Sequence, residues 1–392
     1  MAWSELSVAG QRLLLVGAME LGEESVGEAC ARFGVSRKTA YKWKGRFEAE
    51  GVAGLVDRSH APLRHGRATA EEIEQAIVNL KHDRPSWGPR KIVARLEHLW
   101  PEADWPSHST AGEILKRAGL VSPRGPARRQ ARVTLGPLTA GTRCNQVWTA
   151  DHKGWVRLKD GTRCEPLTVI DARSRYLVAL EAATGTDGRQ ARAVFEAAFR
   201  EHGLPEIIRT DNGAPFASAG LTGLTQLSAW WVKLGIGLER IAPGKPQQNG
   251  AHERFHATLK EAMNPPEVTR ESQQARFDAF RETYNMERPH EALAMTAPGA
   301  VYEKSVRPMP GRLPEPDYPG GAEVRKVRPN GEIKWRGGEL YVSQALDGEP
   351  VAIEEDGEDG HTVRYFDLVI GLIPRYGQRL HPPSKLSPIH PG

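Results

Sequence analysis

Through the middle of the chain the apolar positions switch between two periods, and the switches mark out the elements. Continuous or alternating apolar runs at 146–156, 168–171, 176–180, 207–210 and 238–241 predict strands. Between them Ala191, Val194, Phe195, Ala198 and Phe199 recur at helical spacing and predict a helix over 188–202, with further helices over 228–234 and 252–263. The order is three strands, helix, strand, helix, strand, helix, the second and third strands turning at Arg173, Ser174 and Arg175. Trp230 and Trp231 are expected in the core. From 287 to about 320 the chain is rich in proline. Beyond it, short alternating runs at 323–328, 332–335, 339–342, 350–353 and 363–366, separated by Asn-Gly, Gly-Gly and Asp-Gly turns, predict a small all-β barrel. The tail after Pro374 is expected to be disordered.

The N-terminal third reads as helical. Ser25 to Phe33 fits a short amphipathic helix, Gly34 and Val35 a tight turn, and Ser36 the cap of a second helix reaching about Glu50. Ala40, Trp43 and Phe47 keep that helix's apolar period, while Arg37, Lys38, Thr39, Lys42 and Lys44 fall in its first turns. This is the grammar of a helix-turn-helix whose second helix enters the major groove. A net charge of +4 decides little by itself, but nine Lys and Arg stand against four acids between Gly27 and Arg67, a footprint that suits phosphate backbones. The plainer alternative is a solvated basic face on a helical hairpin. A second helical unit runs from Thr69 to Gly119, with Trp87 to Ile92 opening one helix and Ser109 or Thr110 capping another; it is either a second DNA-reading unit or a spacer. Ser122 to Arg143 contains no acidic residue and is broken by Pro123, Gly125, Pro126, Gly136 and Pro137. Its Arg124, Arg128, Arg129, Arg132 and Arg143 make it a basic arm suited to following DNA, with Arg128 and Arg129 as candidate contacts.

Composition adds exclusions. With 39% hydrophobic and 26% charged residues the chain has the balance of an ordinary soluble protein. No run approaches a membrane span and the first thirty residues lack a basic-then-apolar signal, so the cytoplasm is the expected location. Cys30, Cys144 and Cys164 are odd in number and unclustered, so neither disulfides nor a zinc site is inferred.

The chemistry gathers in three places. Ile207 and Ile208 lead into Asp211, and Asn212-Gly213 turns the chain, which sets Asp211 at the lip of a buried strand, where open α/β sheets keep their ligands. Glu253 follows a Pro-Gln-Gln-Asn-Gly loop at the start of a helix, with Asn249 as the expected N-cap. Lys260, seven residues on, shares its face and suits a phosphate beside the carboxylate. Asp151 interrupts the strand-like run from Gln146 to Val156. Three converging carboxylates repel one another unless a cation compensates them, and magnesium or manganese suits such oxygen donors. Taken singly each acid has a duller explanation: Asp211 in a common turn, Glu253 as a solvated first-turn glutamate, Asp151 as a satisfied strand residue.

As an ordered set, Trp148-Thr149-Ala150-Asp151, Asp211-Asn212-Gly213 and Gln248 through Lys260 resemble the three acidic motifs of the DDE transposase and retroviral-integrase superfamily. A further mark, Tyr284-Asn285, Arg288-Pro289-His290, Leu293 and Pro298, makes the chain most similar to bacterial insertion-sequence transposases with an integrase-type catalytic core and N-terminal helix-turn-helix domains. The likeness is tight from about Arg143 to Tyr302. The 41 residues between Asp211 and Glu253 exceed the retroviral spacing, and 221–226 is a plausible place for the excess; the retroviral zinc module at the N-terminus is absent. Asp171 matches no motif and is set aside.

The resemblance implies a multidomain fold: a helix-turn-helix domain at 1–66, a second at 67–121, the basic linker at 122–143, an α/β ribonuclease H-like catalytic core at 144–302, a Pro-rich linker at 303–321, the small β-barrel at 322–374 and the tail at 375–392. It implies a DNA transposase with Asp151, Asp211 and Glu253 as catalytic residues and ligands of two Mg2+ or Mn2+ ions. Hydrolysis at an element end would be followed by transfer of the 3′-hydroxyl into target DNA. His252 and His256 are read as substrate contacts or supports rather than metal ligands. The partners are double-stranded DNA, both terminal inverted repeats and target, and further copies of the chain, a dimer or higher on DNA. The competing reading is a catalytically inactive or domesticated DNA-binding protein that keeps the helix-turn-helix units over a dead core.

Overall fold

The computed structural model describes residues 7–22, 24–58, 69–121, 138–242, 248, 250–356, 360–375, 377 and 379–382. Asn249, Arg128 and Arg129 lie outside them, as do most of the basic arm and the end of the tail. The chain forms two compact units, Met1–Thr69 and Ala70–Gly392.

In the first unit α1 (Val8–Leu21), α2 (Val26–Arg32) and α3 (Arg37–Glu50) are followed by a 3-10 turn at Gly51–Leu55. Ser25 and Glu28 close a capping box on α2, and the Ser36 hydroxyl accepts the Thr39 N–H at 3.2 Å to start α3. Helix α1 was not anticipated from the sequence. It buries Leu15 against Ala29, Cys30 and Ala40, and Val16 against Trp43 and Leu55, while Leu13 and Leu14 stay exposed, so the apolar run showed no clean period.

The second unit opens with α4 (Glu71–Asp83), α5 (Pro89–Leu99) and α6 (His108–Arg117), packed around Ile77, Trp87, Ile92, Leu96, Ile114 and Leu115. Ser107 caps α6, in place of the expected Ser109 or Thr110: the Thr110 N–H reaches back to its hydroxyl at 3.3 Å. Arg84 at the α4–α5 turn pairs with Glu287, just after α10, at 2.7 Å.

The sheet that carries the candidate site is built from β1 (Val147–His152), β4 (Leu167–Asp171), β5 (Leu177–Glu181), β6 (Ile207–Thr210) and β7 (Gly237–Arg240), in the order β5-β4-β1-β6-β7. A small hairpin not foreseen in the sequence, β2 (Val156–Arg157) with β3 (Arg163–Cys164), interrupts the run between β1 and β4. β5, β4 and β1 are antiparallel neighbours; β1, β6 and β7 are parallel. Helices α7 (Gly188–His202) and α8 (Gln226–Lys233) cover one face, where Val169 and Val178 meet Phe195, Phe199 and Trp231. Helices α9 (Gly250–Met263) and α10 (Arg270–Met286) cover the other, where Ile170 and Leu177 meet Phe255, Leu259 and Phe277. Adjacent strand residues thus point to opposite layers, as a sheet buried on both faces requires. This is the mixed sheet of a ribonuclease H-like core.

Beyond the core the expected linker is a strap. The Ser305 N–H donates to His202 O at 2.8 Å, the Leu204 N–H to Arg307 O at 2.7 Å, and the Arg307 guanidinium donates to the carbonyls of Pro205, Leu234 and Gly235. The C-terminal strands β8 (Glu323–Lys326), β9 (Glu332–Trp335), β10 (Gly338–Tyr341), β11 (Pro350–Asp356), β12 (Gly360–Tyr365) and β13 (Leu368–Pro374) form a four-stranded antiparallel sheet, β13-β12-β11-β8, and a β9–β10 hairpin. Among the described residues these pairings do not close into a ring. β13 was missed because Leu368 to Ile373 is almost uniformly apolar. The apolar centre of this unit takes in Leu224, Ala229 and Val232 from in and around α8, and Lys233 pairs with Glu349 at 2.8 Å. Part of the expected tail is also held: Leu380 is buried and His381 exchanges backbone hydrogen bonds with Leu372.

Candidate active site

The parallel register sets Trp148 opposite Ile208 and Thr149 opposite Arg209; two residues further along each chain stand Asp151 and Asp211. Both are half-buried at the C-terminal edge of adjacent strands. Asp211 Oδ1 accepts the Gly213 N–H at 3.0 Å, and Asn212 Nδ2 donates to Ile241 O at 2.8 Å, so the Asp-Asn-Gly turn is fixed at both ends. Glu253 is exposed in the first turn of α9. Burial pushes the Asp151 carboxyl up to about 7; neighbouring Asp211 and, more weakly, Glu253 push the same way, against the His152 N–H and Lys153. Asp211 and Glu253 are therefore both within electrostatic reach of Asp151.

Two histidines and two threonines anchor α9 beneath these acids. His252, only 1% exposed, has Nδ1 2.9 Å from Thr149 Oγ1 and Nε2 2.5 Å from Thr168 Oγ1. His256 Nε2 lies 3.1 Å from the same Thr168 hydroxyl, and its Nδ1 lies 3.8 Å from Asp151 Oδ2. Thr168 is the antiparallel partner of Asp151 and its hydroxyl lies 2.9 Å from the Asp151 carbonyl oxygen, to which it can donate. Burial holds His256 down to about 3 and His252 well below the usual imidazole range, so both are neutral. One oxygen or nitrogen each of Asp151, His252 and His256 lies within 4.8 Å of the others, the spacing of a metal cluster. The hydrogen bonds argue against using it so, since both nitrogens of His252 and the Nε2 of His256 are engaged by threonines. Asp151 and Asp211 are half-buried and Glu253 is exposed, and carboxylate oxygens are the donors that magnesium and manganese prefer; the three acids do not themselves meet the 4.8 Å spacing that Asp151, His252 and His256 meet. Thr149 and Thr168 were not singled out in the sequence; their partners lie 103 and 84 residues away.

The remaining candidates fall in several settings. Lys260 is exposed on α9. On α3, Arg37, Lys38 and Lys42 are exposed, with Lys42 over the Trp43 ring at 4.9 Å; Thr39 Oγ1 sits 2.9 Å from Ser36 Oγ in the cap, and Lys44 is half-buried, 3.9 Å from Glu48. Tyr41, 57% exposed among these cations, was overlooked. Arg143, at the end of the basic arm, pairs with Glu206. Asp171 is fully buried and accepts from Asn145 N–H at 2.7 Å, Ser174 N–H at 2.7 Å and the Ser174 hydroxyl at 2.6 Å, a structural role.

Comparison with known proteins adds the following. Residues 141–246 and 234–298 match families described as integrase core domain. Residues 11–62 match a helix-turn-helix domain, 39–115 a homeodomain-like domain, and 322–374 the IS481 family transposase C-terminal domain. The uncharacterized 31.7 kDa protein of insertion element IS407 from Burkholderia multivorans is 30% identical over 236 residues, 60% of this chain and 82% of the relative. The uncharacterized 39.2 kDa protein of insertion element IS476 from Xanthomonas euvesicatoria is 27% identical over 266 residues, 67% of this chain and 72% of the relative. Among solved structures, the HTLV-2 integrase catalytic core domain in complex with magnesium is 15% identical with a TM-score of 0.31, over 42% of this chain and 99% of that one. A simian T-cell lymphotropic virus intasome bound to the PP2A regulatory subunit B56 gamma is 16% identical with a TM-score of 0.37, over 76% and 99%.

Proposed function

The chain belongs to the insertion-sequence transposases with an integrase-type catalytic core, and from that premise we propose that Asp151, Asp211 and Glu253 are its catalytic triad for cutting element ends and joining them to target DNA. The observation that carries the reading is the parallel β1–β6 register, which leads Asp151 and Asp211 to one sheet edge, with the Asp151 carboxyl raised to about 7 by burial and by its acidic neighbours.

The acids present fit a pair of divalent ions, magnesium or manganese, which when bound would activate the attacking hydroxyl and stabilise the departing oxygen. The protein's own contribution is placement. Asp151 and Asp211 are fixed by strand register and by the Asp-Asn-Gly turn, and Glu253 by the helix that His252 and His256 anchor. In the first step the oxygen of a water forms a bond to phosphorus at the element end, and the 3′ oxygen leaves and takes a proton. In the second that 3′-hydroxyl oxygen attacks a phosphorus of the target strand, whose own 3′ oxygen departs. Lys260, on the Glu253 helix, holds a neighbouring phosphate. Arg37, Lys38, Thr39, Lys42 and Lys44 on α3 read the terminal repeats, and the arm with Arg128 and Arg129 follows the backbone. The working form is at least a dimer, since one chain offers one triad and an element has two ends. Among the described residues no helix is long and apolar enough to cross a membrane, and the cytoplasm is the proposed place of action.

The test is release of a labelled strand from end DNA and its transfer to a plasmid by Asp151→Asn, Asp211→Asn and Glu253→Gln proteins, with binding measured on the same preparations. Loss of both reactions with binding retained is the expected result; undiminished strand transfer would falsify the mechanism.

A further inference from the structure

Several of the α3 side chains expected to meet DNA are already engaged. The Thr39 hydroxyl stands 2.9 Å from Ser36 Oγ in the helix cap, and Lys44 is half-buried with its ammonium 3.9 Å from Glu48. The Arg37 guanidinium lies back over α2, its Nη2 2.9 Å from where a Cβ on Gly27 would stand, and Lys42 leans on the Trp43 ring at 4.9 Å. What remains is a row in which only Lys38 was expected. Lys38, Tyr41 and Gly45 follow one another at i, i+3 and i+7, so they fall within about 60° of one another around the helix. The buried Ala40 and Trp43 lie on its opposite side. Tyr41 is 57% exposed, and Lys38 and Gly45 are exposed as well. Among the described residues the side chains of Lys38 and Tyr41 make no hydrogen bond, ion pair or ring contact. Both acids of α3 are taken: Glu48 stands beside Lys44, and Glu50 pairs with Arg58. On α2, Glu28 closes its own capping box.

Gly45 is the odd member of the row. It stands in the interior of the 14-residue α3, where glycine weakens a helix relative to alanine. Its φ is not positive, and nothing lies within 4 Å of where a Cβ would stand, so the fold has no need of glycine there. A bare spot one turn beyond an unpartnered aromatic ring suits a surface that approaches closely from outside. On the reading of α3 as the helix that meets the element ends, we propose that Tyr41 reads base edges in the major groove, with Gly45 letting the helix seat deeply and Lys38 and Lys42 on neighbouring phosphates. Tyr41 is then the residue that tells one sequence from another, since lysine contacts to phosphate hold any duplex alike. A tyrosine ring packs on a thymine methyl while its hydroxyl reaches an acceptor such as adenine N7, which makes an A·T pair the expected target.

The experiment selects bound duplexes from a randomised pool with the full chain, in EDTA so that no strand is cut. Affinities for the selected sequence and for random duplex are then measured beside the DNA-free melting temperature. Tyr41→Ala should lose the preference at the base pairs it touches and lower the ratio of selected to random affinity about tenfold, with the melting temperature unchanged. Gly45→Ala should weaken binding to the selected sequence while its melting temperature holds or rises, two changes of opposite sign that a residue serving only the fold does not give. Uracil in place of thymine at the pair concerned should weaken binding by the unaltered protein and leave the Tyr41→Ala protein unaffected. If Tyr41→Ala selected the same sequence with the same ratio, the proposal would be overturned. A loss accompanied by a lowered melting temperature would assign Tyr41 to the fold and overturn it too. Failure of the underlying reading looks different: the unaltered chain would itself select no sequence, and this assignment would fall with it.

Discussion

Two aspartates on neighbouring strands show how one sheet treats the same side chain in opposite ways. Asp171 ends β4 at one edge, fully buried, with three donors turned toward its oxygens. Asp151 sits near the end of β1 at the other edge, half-buried, facing Asp211 and Glu253, and its carboxyl is raised to about 7. At the first edge the acid is met by donors of the fold itself; at the second it stands beside two further acids, as the proposed metal site requires. Degree of burial alone would have chosen the wrong residue, and the distinction lies in what surrounds each carboxylate.

Substitution should separate the two edges most sharply at the open one. Asp151→Asn, Asp211→Asn and Glu253→Gln each keep shape and remove a charge from the proposed metal site; several kcal/mol of transition-state stabilisation are at stake, a loss of about a thousandfold or more in strand release. At the satisfied edge Asp171→Ala leaves three donors unpaired, and a loss of about 2–4 kcal/mol in folding stability is expected, read as a fall in melting temperature, with turnover per folded molecule unchanged. If Asp171→Ala instead abolished strand transfer in well-folded protein, the contrast would collapse.

Thr168→Val tests how the open edge is held. It deletes the hydroxyl shared by His252, His256 and the Asp151 carbonyl while keeping volume, and turnover should drop about tenfold with little change in DNA affinity. An equal fall in affinity would indicate general loosening of α9. The smallest effect concerns His202, packed edge-on to Tyr176 and Tyr302 behind the Asp171 edge and held down to about 4, chiefly by burial. Between pH 6.5 and 4 the unfolded chain takes up this proton and the folded one does not, so stability is full above pH 6.5 and declines as the pH falls, by at most about 1.4 kcal/mol per pH unit. Urea titrations of His202→Phe should show a flatter acid limb; an unaltered limb would remove His202 from the account.

Much of this was legible in the sequence where local pattern and local chemistry coincide. The α7 helix repeats its apolar residues cleanly, and Asp211 carries its turn with it. Features settled by distant partners were not legible. The Thr149 and Thr168 anchors depend on strand register meeting a helix some hundred residues later. Strand β13 and helix α1 lie in runs too uniformly apolar to show a period, and Ser107, Ser109 and Thr110 are equally good caps until the backbone chooses one. The Pro-rich strap looked like a linker because backbone bonds to the end of α7 and to Leu204 just after it have no signature in side-chain pattern.

The apolar seam between α8 and the C-terminal strands bears on how such chains can be recombined. Leu224, Ala229 and Val232 precede Glu253 in the chain, yet they complete the interior of strands that begin only at Glu323. The piece that could be exchanged between relatives is therefore discontinuous: a graft of 322–374 alone would carry one half of a fitted surface, and a viable chimera must bring the stretch around α8 with it, from between two of the acids themselves.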